Sequence, residues 1–197
     1  MTTSLLQVST LVVEQRRKLF ELRNQYKVFD GAGTQIGVIE QDQQSFLTLL
    51  ARIGTDLDVV LPVTLKVLDA TGAAVLSIRK PWFTTRLSVA RADGSPVGSI
   101  YKRIRMGKAR FTLLDFSGSQ IGEVRAENWR AKDFAVFDAS ANEVARVAKK
   151  WRGIATEVFT DADTYVVHLT PAAVEPLRTL AIAAALAVDL VMKQKDY

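Results

Sequence analysis

The amino-acid sequence predicts an all-β fold closed around one helix: about twelve antiparallel strands forming a barrel, with a hydrophobic C-terminal α-helix at its centre. The first observation behind this is a turn motif that recurs six times, and six hairpins make about twelve strands. The second is the segment Pro176 to Met192, in which Leu180 through Val188 contains no polar residue. A helix without a polar face must be buried, in protein or in lipid. The third is geometric. Eight strands already fill a barrel with their own side chains, and the diameter grows with strand number. Twelve strands leave a hollow that a small-residue helix about 10 Å wide would fill.

Taken in order, residues 1–10 carry neither a basic n-region nor a continuous apolar run, so no secretory signal is read there. They are expected to be a flexible N-terminus. The first turn motif is Val28-Phe29-Asp30-Gly31-Ala32-Gly33-Thr34-Gln35-Ile36-Gly37. Its successors centre on Asp69 to Gly72, Asp93 to Pro96, Asp115 to Gly118, Asp138 to Ala141 and, more loosely, Asp161 to Asp163. The leading aspartates lie 39 residues apart at first and 22–24 apart thereafter. Asp bonds its own backbone and Gly accepts positive φ, so both belong in a turn between apolar runs. A propeller blade needs four strands in about 40 residues, so a repeat of this length fits a barrel better. Within this series, Tyr101 to Phe111 reads as a hairpin turning at Met106-Gly107. Strand alternation sets Arg103 and Arg105 opposite Lys108 and Arg110. Thr164 to Leu169 is the last strand.

The central helix is expected over residues 176–193, with Leu180, Ala184 and Leu186 in its buried body. Arg178 and Asp189 bracket only ten residues, against the roughly 20 that cross a bilayer. The segment is half alanine, a thin rod suited to a confined space. Burial inside the barrel is the reading taken, with a single-pass C-terminal anchor as the alternative. Asp189 opposes the helix macrodipole near its C-terminus, so it is expected to meet a donor at the barrel mouth.

Composition narrows the function. The 197 residues suffice for a single domain over 1–197, and 48% hydrophobic content excludes a disordered chain. There is no cysteine, hence no disulfide, thiolate nucleophile or zinc–thiolate site. The single histidine, His168, has no partners for a catalytic triad, and no glycine run forms a phosphate-binding loop. Neither a hydrolytic nor a redox site is expected. The net charge of +5 is uneven: Arg79 to Arg110 holds nine basic residues and one acid, +8, leaving −3 elsewhere. Such a concentration attracts phosphates. Arg79, Lys80, Lys102, Arg103, Arg105, Lys108 and Arg110 are the candidate contacts for an anionic phospholipid or membrane surface. Nucleic acid is the weaker alternative, because no recognition helix or aromatic stacking ladder is present. Trp82, Trp129 and Trp151 read as caps of the barrel ends or as a membrane-interface belt.

Lys149-Lys150-Trp151-Arg152-Gly153, then Glu157 to Tyr165, then Val188-Asp189-Leu190, resembles the end of the phospholipid scramblase family, which groups with the Tubby-like and LURP-one-related proteins. The resemblance is tight over residues 128–192 and looser upstream, as at Tyr26 to Asp30. It implies a twelve-stranded barrel around a hydrophobic helix, membrane association, and calcium-stimulated, ATP-independent movement of phospholipids between leaflets. The family's calcium segment would begin at Asp161. Asp161 and Asp163 occupy its first and third positions, but Tyr165, Val166, Leu169 and Ala172 stand where ligands or a tight turn are needed. Calcium wants six to eight oxygens, so Asp161 and Asp163 are read as a turn, with a degenerate calcium segment as the alternative, and no cofactor is required. The proline-rich extension and cysteine cluster of animal scramblases are missing from this sequence. The function expected is a scramblase-related, membrane-associated lipid-binding protein, cytoplasmic and peripheral on the inner membrane face. The alternative is a soluble module of Tubby or LURP-one type that binds anionic lipids or phosphoinositides without moving them.

Overall fold

The computed structural model describes residues 5–15, 25–41, 62–81, 84, 86–105, 108–128, 133–148 and 164–192. Among these are twelve strands: β1 (Thr10–Gln15), β2 (Gln25–Asp30), β3 (Gln35–Gln41), β4 (Val63–Asp69), β5 (Ala74–Lys80), β6 (Arg86–Arg91), β7 (Pro96–Arg105), β8 (Lys108–Asp115), β9 (Gln120–Asn128), β10 (Asp133–Asp138), β11 (Glu143–Ala148) and β12 (Thr164–Leu169). One helix, α1 (Leu177–Met192), follows. Each strand pairs antiparallel with its sequence neighbours, and β1 pairs with both β2 and β12, so the sheet closes on itself.

Five connections share one construction. Asp30 N–H donates to Thr34 O at 2.9 Å and Gly33 N–H to Asp30 O at 3.1 Å, and the same pair of bonds recurs from Asp69, Arg91, Asp115 and Asp138. The fourth residue of each turn has positive φ: Gly33, Gly72 and Gly94 at 84°, Gly118 at 86° and Ala141 at 64°. These are five-residue turns closed by a left-handed residue, and each is followed by a register shift in its hairpin. The aspartates do what the turn chemistry requires. Asp115 Oδ1, for example, accepts from the N–H of Ser117 and Ser119, both at 2.9 Å, and from Ser117 Oγ at 2.7 Å. In the third turn Arg91 takes the leading place and Asp93 moves two positions on, accepting from Ser95 N–H at 2.8 Å.

Among the described residues, five of the expected hairpins supply ten strands, and β1 and β12, paired with each other where the barrel closes, supply the other two. The sixth turn, including Asp161 and Asp163, lies outside the described residues. Residues 1–10, expected to be a flexible N-terminus, include Leu5 and Leu6, which are buried in the core, and Thr10, which opens β1. The reason is β1's place between β2 and β12: closing the barrel draws the chain before it over one end.

Inward positions alternate with outward ones around the ring, giving an interior of Leu11, Val13, Val28, Ile39, Val67, Leu76, Ile78, Val89, Ile100, Phe111, Leu113, Val124, Val136, Val147, Tyr165 and Val167. The helix occupies what remains. Leu180, Ala181, Ile182, Ala183 and Ala184 have no exposed surface, and Leu186 is 4% exposed. Alanine dominates because the lumen leaves room for a helix but little for its side chains. Gly122 shows how close the approach is: a Cβ there would lie 2.6 Å from Phe137 O and 2.8 Å from Leu177 Cδ1. At 1.5 Å per residue, α1 is about 24 Å long. No helix among the described residues is long and apolar enough to cross a membrane. The apolar body of α1, Leu180 to Ala187, is enclosed by protein, the first of the two readings of this segment.

Polar ties hold the helix mainly at its start. Arg178 donates from Nε to Leu6 O at 2.7 Å and from Nη2 to Val8 O at 2.6 Å. Thr179 Oγ1 donates to Glu175 Oε1 at 2.8 Å, and Glu175 lies 3.7 Å from Arg91. Further along, Tyr165 Oη donates to Ala185 O at 3.3 Å. The side chain of Asp189 lies outside the described residues, so the expected donor at the mouth is not assigned.

Candidate functional site

The cations between Arg79 and Arg110 divide between the two faces of the sheet, because strand alternation sorts them. Lys80 pairs across strands with Val63 and continues the inward row of Leu76 and Ile78; it is 5% exposed. This corrects the sequence reading of Lys80 as a surface contact: it lies on the core side of β5. Lys102 also belongs to the inward row, following Gly98 and Ile100 on β7, and pairs with the buried Phe111. Arg91 sits in a turn and serves Glu175.

The outer face of β5 to β8 carries Arg79, Arg86 and Arg110. Arg79 is exposed between Thr64 on β4 and Ser88 on β6, and Arg86 is opposite Tyr101 on β7. Arg86 turns its guanidinium onto the buried Ser99, donating to Oγ from Nε at 3.0 Å and from Nη2 at 2.9 Å. Tyr101 is 37% exposed beside it. Arg103 is the cross-strand partner of Arg110, and Arg105 of Lys108, as strand alternation predicted for this hairpin. Like charges at directly opposite register positions destabilise a strand pair unless an anion offsets them.

Contrast with the neighbouring strands sharpens the point. On β9 to β11 each described arginine has a carboxylate: Arg125 meets Glu123 and stacks 4.3 Å from the Phe137 ring, and Arg146 donates to Glu143 at 2.8 Å and reaches Asp133 at 3.5 Å. The Arg146 hydrogen bond holds the Glu143 carboxyl below the usual range. Arg110 lies 3.7 Å from Glu123, at the border of this network. On the β5–β6 face, among the described residues, no carboxylate pairs with Arg79 or Arg86. Their neighbours are the hydroxyls of Thr64, Ser88 and Ser99 and the Tyr101 phenol. This is a surface of fixed positive charge with hydroxyl hydrogen-bond partners, suited to phosphate esters.

The carboxylates gather at the opposite end, in the turns. Hydrogen bonds from Thr71, Ser95, Ser117 and Asn142 hold the carboxyls of Asp69, Asp93, Asp115 and Asp138 below the ordinary range, favouring their ionised form. His168 contacts Thr10 Oγ1 at 3.3 Å across the β12–β1 seam, a structural role. Among the described residues no group of three His, Asp or Glu gathers where it could hold a metal. The segment from Asp161, and with it the calcium question, falls outside them, as do Trp82, Trp129 and Trp151.

The sequence reading does not include Arg86 or Tyr101 in the site. The signal that finds them is the period-2 pattern of Arg86-Leu87-Ser88-Val89, which fixes Leu87 and Val89 inward and Arg86 outward.

A family model described as Scramblase matches residues 1–194. This chain belongs to the Scramblase family. Among curated relatives it is similar to the altered inheritance rate of mitochondria protein 25 of Saccharomyces cerevisiae, 23% identical over 84% of this chain and 60% of that protein. It is also similar to a phospholipid scramblase family protein of Schizosaccharomyces pombe, 24% identical over 84% of this chain and 47% of the relative. The chain thus spans about half the length of the curated relatives it matches. A solved protein structure from Arabidopsis thaliana covers 95% of this chain and 94% of its own, with a TM-score of 0.55 at 15% identity, a likeness of fold. The closed twelve-stranded barrel around one helix is the architecture that the sequence resemblance implied.

Proposed function

We propose that this Scramblase-family protein binds anionic phospholipid peripherally, at the cytoplasmic face of a membrane, through the outer surface of β5 to β8. The observation that carries the reading is the exposed pair Arg79 and Arg86, which no described carboxylate neutralises, beside the facing pairs Arg103–Arg110 and Arg105–Lys108. The acidic turns at one end of the barrel repel such a surface, so the basic flank turns toward it. Each basic side chain near an anionic leaflet contributes about 1 kcal/mol. Replacing Arg79 and Arg86 by glutamine is expected to weaken binding to phosphatidylserine-containing vesicles about 30-fold. Flotation with those vesicles at low salt, lost at high salt and with phosphatidylcholine alone, is the expected result. Salt-independent flotation, or flotation unchanged in the double variant, overturns the assignment.

The family name, and the name of the fission-yeast relative, favour a further step, ATP-independent movement of phospholipid between leaflets. The enclosed helix sets its condition: α1 must leave the barrel, or the path must belong to an assembly. Loss of a quenchable lipid label from the inner leaflet of reconstituted vesicles, above the rate in empty ones and with and without calcium, reads that step directly. No acceleration leaves a lipid-binding protein that does not scramble.

A further inference from the structure

We propose that residues Leu5 to Ser9 form a strap that retains α1 in the barrel, and that opening of this strap, ahead of unfolding of the sheet, is what admits solvent to the helix. The inference stands apart from lipid binding. Among the described residues the helix has few polar ties. Apart from the Tyr165 contact at 3.3 Å, the ties among the described residues crowd into its first turn, and the strongest of them do not go to the barrel wall. The Arg178 guanidinium spans two carbonyls of the strap, Leu6 O and Val8 O, at 2.7 and 2.6 Å. Charge-assisted bonds of this kind are roughly twice as strong as neutral ones.

The strap is fastened in turn at both ends. Leu5 is 1% exposed and seated over Gly37, where its Cδ1 occupies the space a Cβ would need. Ser9 O accepts from Leu169 N–H at 2.7 Å, at the end of β12. Between these points the strap runs as turn rather than strand, so it adds no rung to the sheet. It can therefore open without breaking the β1–β12 and β1–β2 pairings, which begin at Thr10 and Leu11. Segments with few sheet bonds open at lower free energy than the strands beside them. The second tie, Arg91–Glu175–Thr179, attaches the helix start to the barrel itself and serves as the internal control.

The chain has no cysteine, so a single Ala184→Cys at the buried centre of α1 is a clean reporter. Its labelling rate with a small maleimide is measured under native conditions, beside the urea unfolding curve followed by far-UV circular dichroism. Arg178→Leu is expected to raise labelling about tenfold or more, beyond the increase in globally unfolded chains that its urea curve implies. Leu5→Ala acts in the same direction, whereas Glu175→Gln, which keeps its Thr179 hydrogen bond, labels near the parent rate. Labelling that rises only in step with global unfolding, or stays at the parent rate in Arg178→Leu, overturns the proposal. Hydrogen exchange on the unaltered protein decides the matter if the variants fail to fold. Amides of Leu180 to Ala187 exchanging before those of β8 support the strap, and equal protection refutes it.

Discussion

Replacing Gly122 by alanine tests, at the level of single atoms, whether the first turn of α1 lies where the structure places it. The new Cβ would stand 2.6 Å from Phe137 O and 2.8 Å from Leu177 Cδ1, with Leu113 Cδ1 at an ordinary 3.6 Å. Carbon contacts are comfortable at roughly 3.5–4.0 Å, so about 0.7–1 Å of overlap must be relieved. The Phe137 carbonyl is main chain at the β10 register shift, and Leu177 is fixed by the lumen. Overpacking of this kind costs about 1–3 kcal/mol, or about 2–12 °C in melting temperature for a chain of this size. The decisive form is a double-mutant cycle with Leu177→Ala. Leu177→Ala alone opens a cavity and destabilises; in the Gly122→Ala background it also removes one of the two clashing atoms. The double variant is therefore expected to be more stable than the sum of the singles by about 0.5–1 kcal/mol. Urea unfolding of the four proteins measures this. Effects that simply add would show that Leu177 does not rest on Gly122, and the register of the helix in the barrel would be wrong.

Two further outcomes concern the turns. Ala141 holds a φ of 64° where the other four turns have glycine, so Ala141→Gly is expected to stabilise by about 0.5–1 kcal/mol, and a lowered melting temperature would contradict the shared turn geometry. The turn carboxyls of Asp69, Asp93, Asp115 and Asp138 titrate below their ordinary value of 3.8, so their contribution to stability is present above that pH and is lost as pH falls through the lowered values. Acid unfolding monitored by circular dichroism should be shifted to higher pH in Asp115→Asn, whose amide cannot carry the charge; an unshifted transition would show that the Ser117 and Ser119 bonds do not favour the ionised form.

Much of the fold was legible because its signals are local. A turn needs Asp to receive amide hydrogens and Gly to take positive φ, and those residues mark the repeats, with Ala141 standing in for Gly in the fifth turn, so strand pairing followed from their spacing. The helix was legible because alanine and leucine without a polar face leave burial as the outcome. What the sequence hid is long-range. β1 has none of the repeating turn motif in the sequence beside it, and its role at the seam with β12 exists only once the barrel closes. Leu5 and Leu6 look like an ordinary N-terminal pair until Arg178, over 170 residues away, is found bonded to the carbonyls beside them. The candidate surface was half visible. The density of Arg and Lys marked β5 to β8, but which of them face outward depends on register. Lys80 was lost to the interior because it shares parity with Ile78, while Arg86 was gained because Leu87 and Val89 point inward.

The claim beneath all of this is that the strands are held open by the helix they enclose. Ending the chain after Pro171 removes α1 and leaves all twelve strands in the sequence. Far-UV circular dichroism with thermal unfolding of that shorter chain should show aggregation, or loss of a cooperative transition. A folded product that melts at the temperature of the full chain would mean that the barrel fills itself and that α1 is not its core.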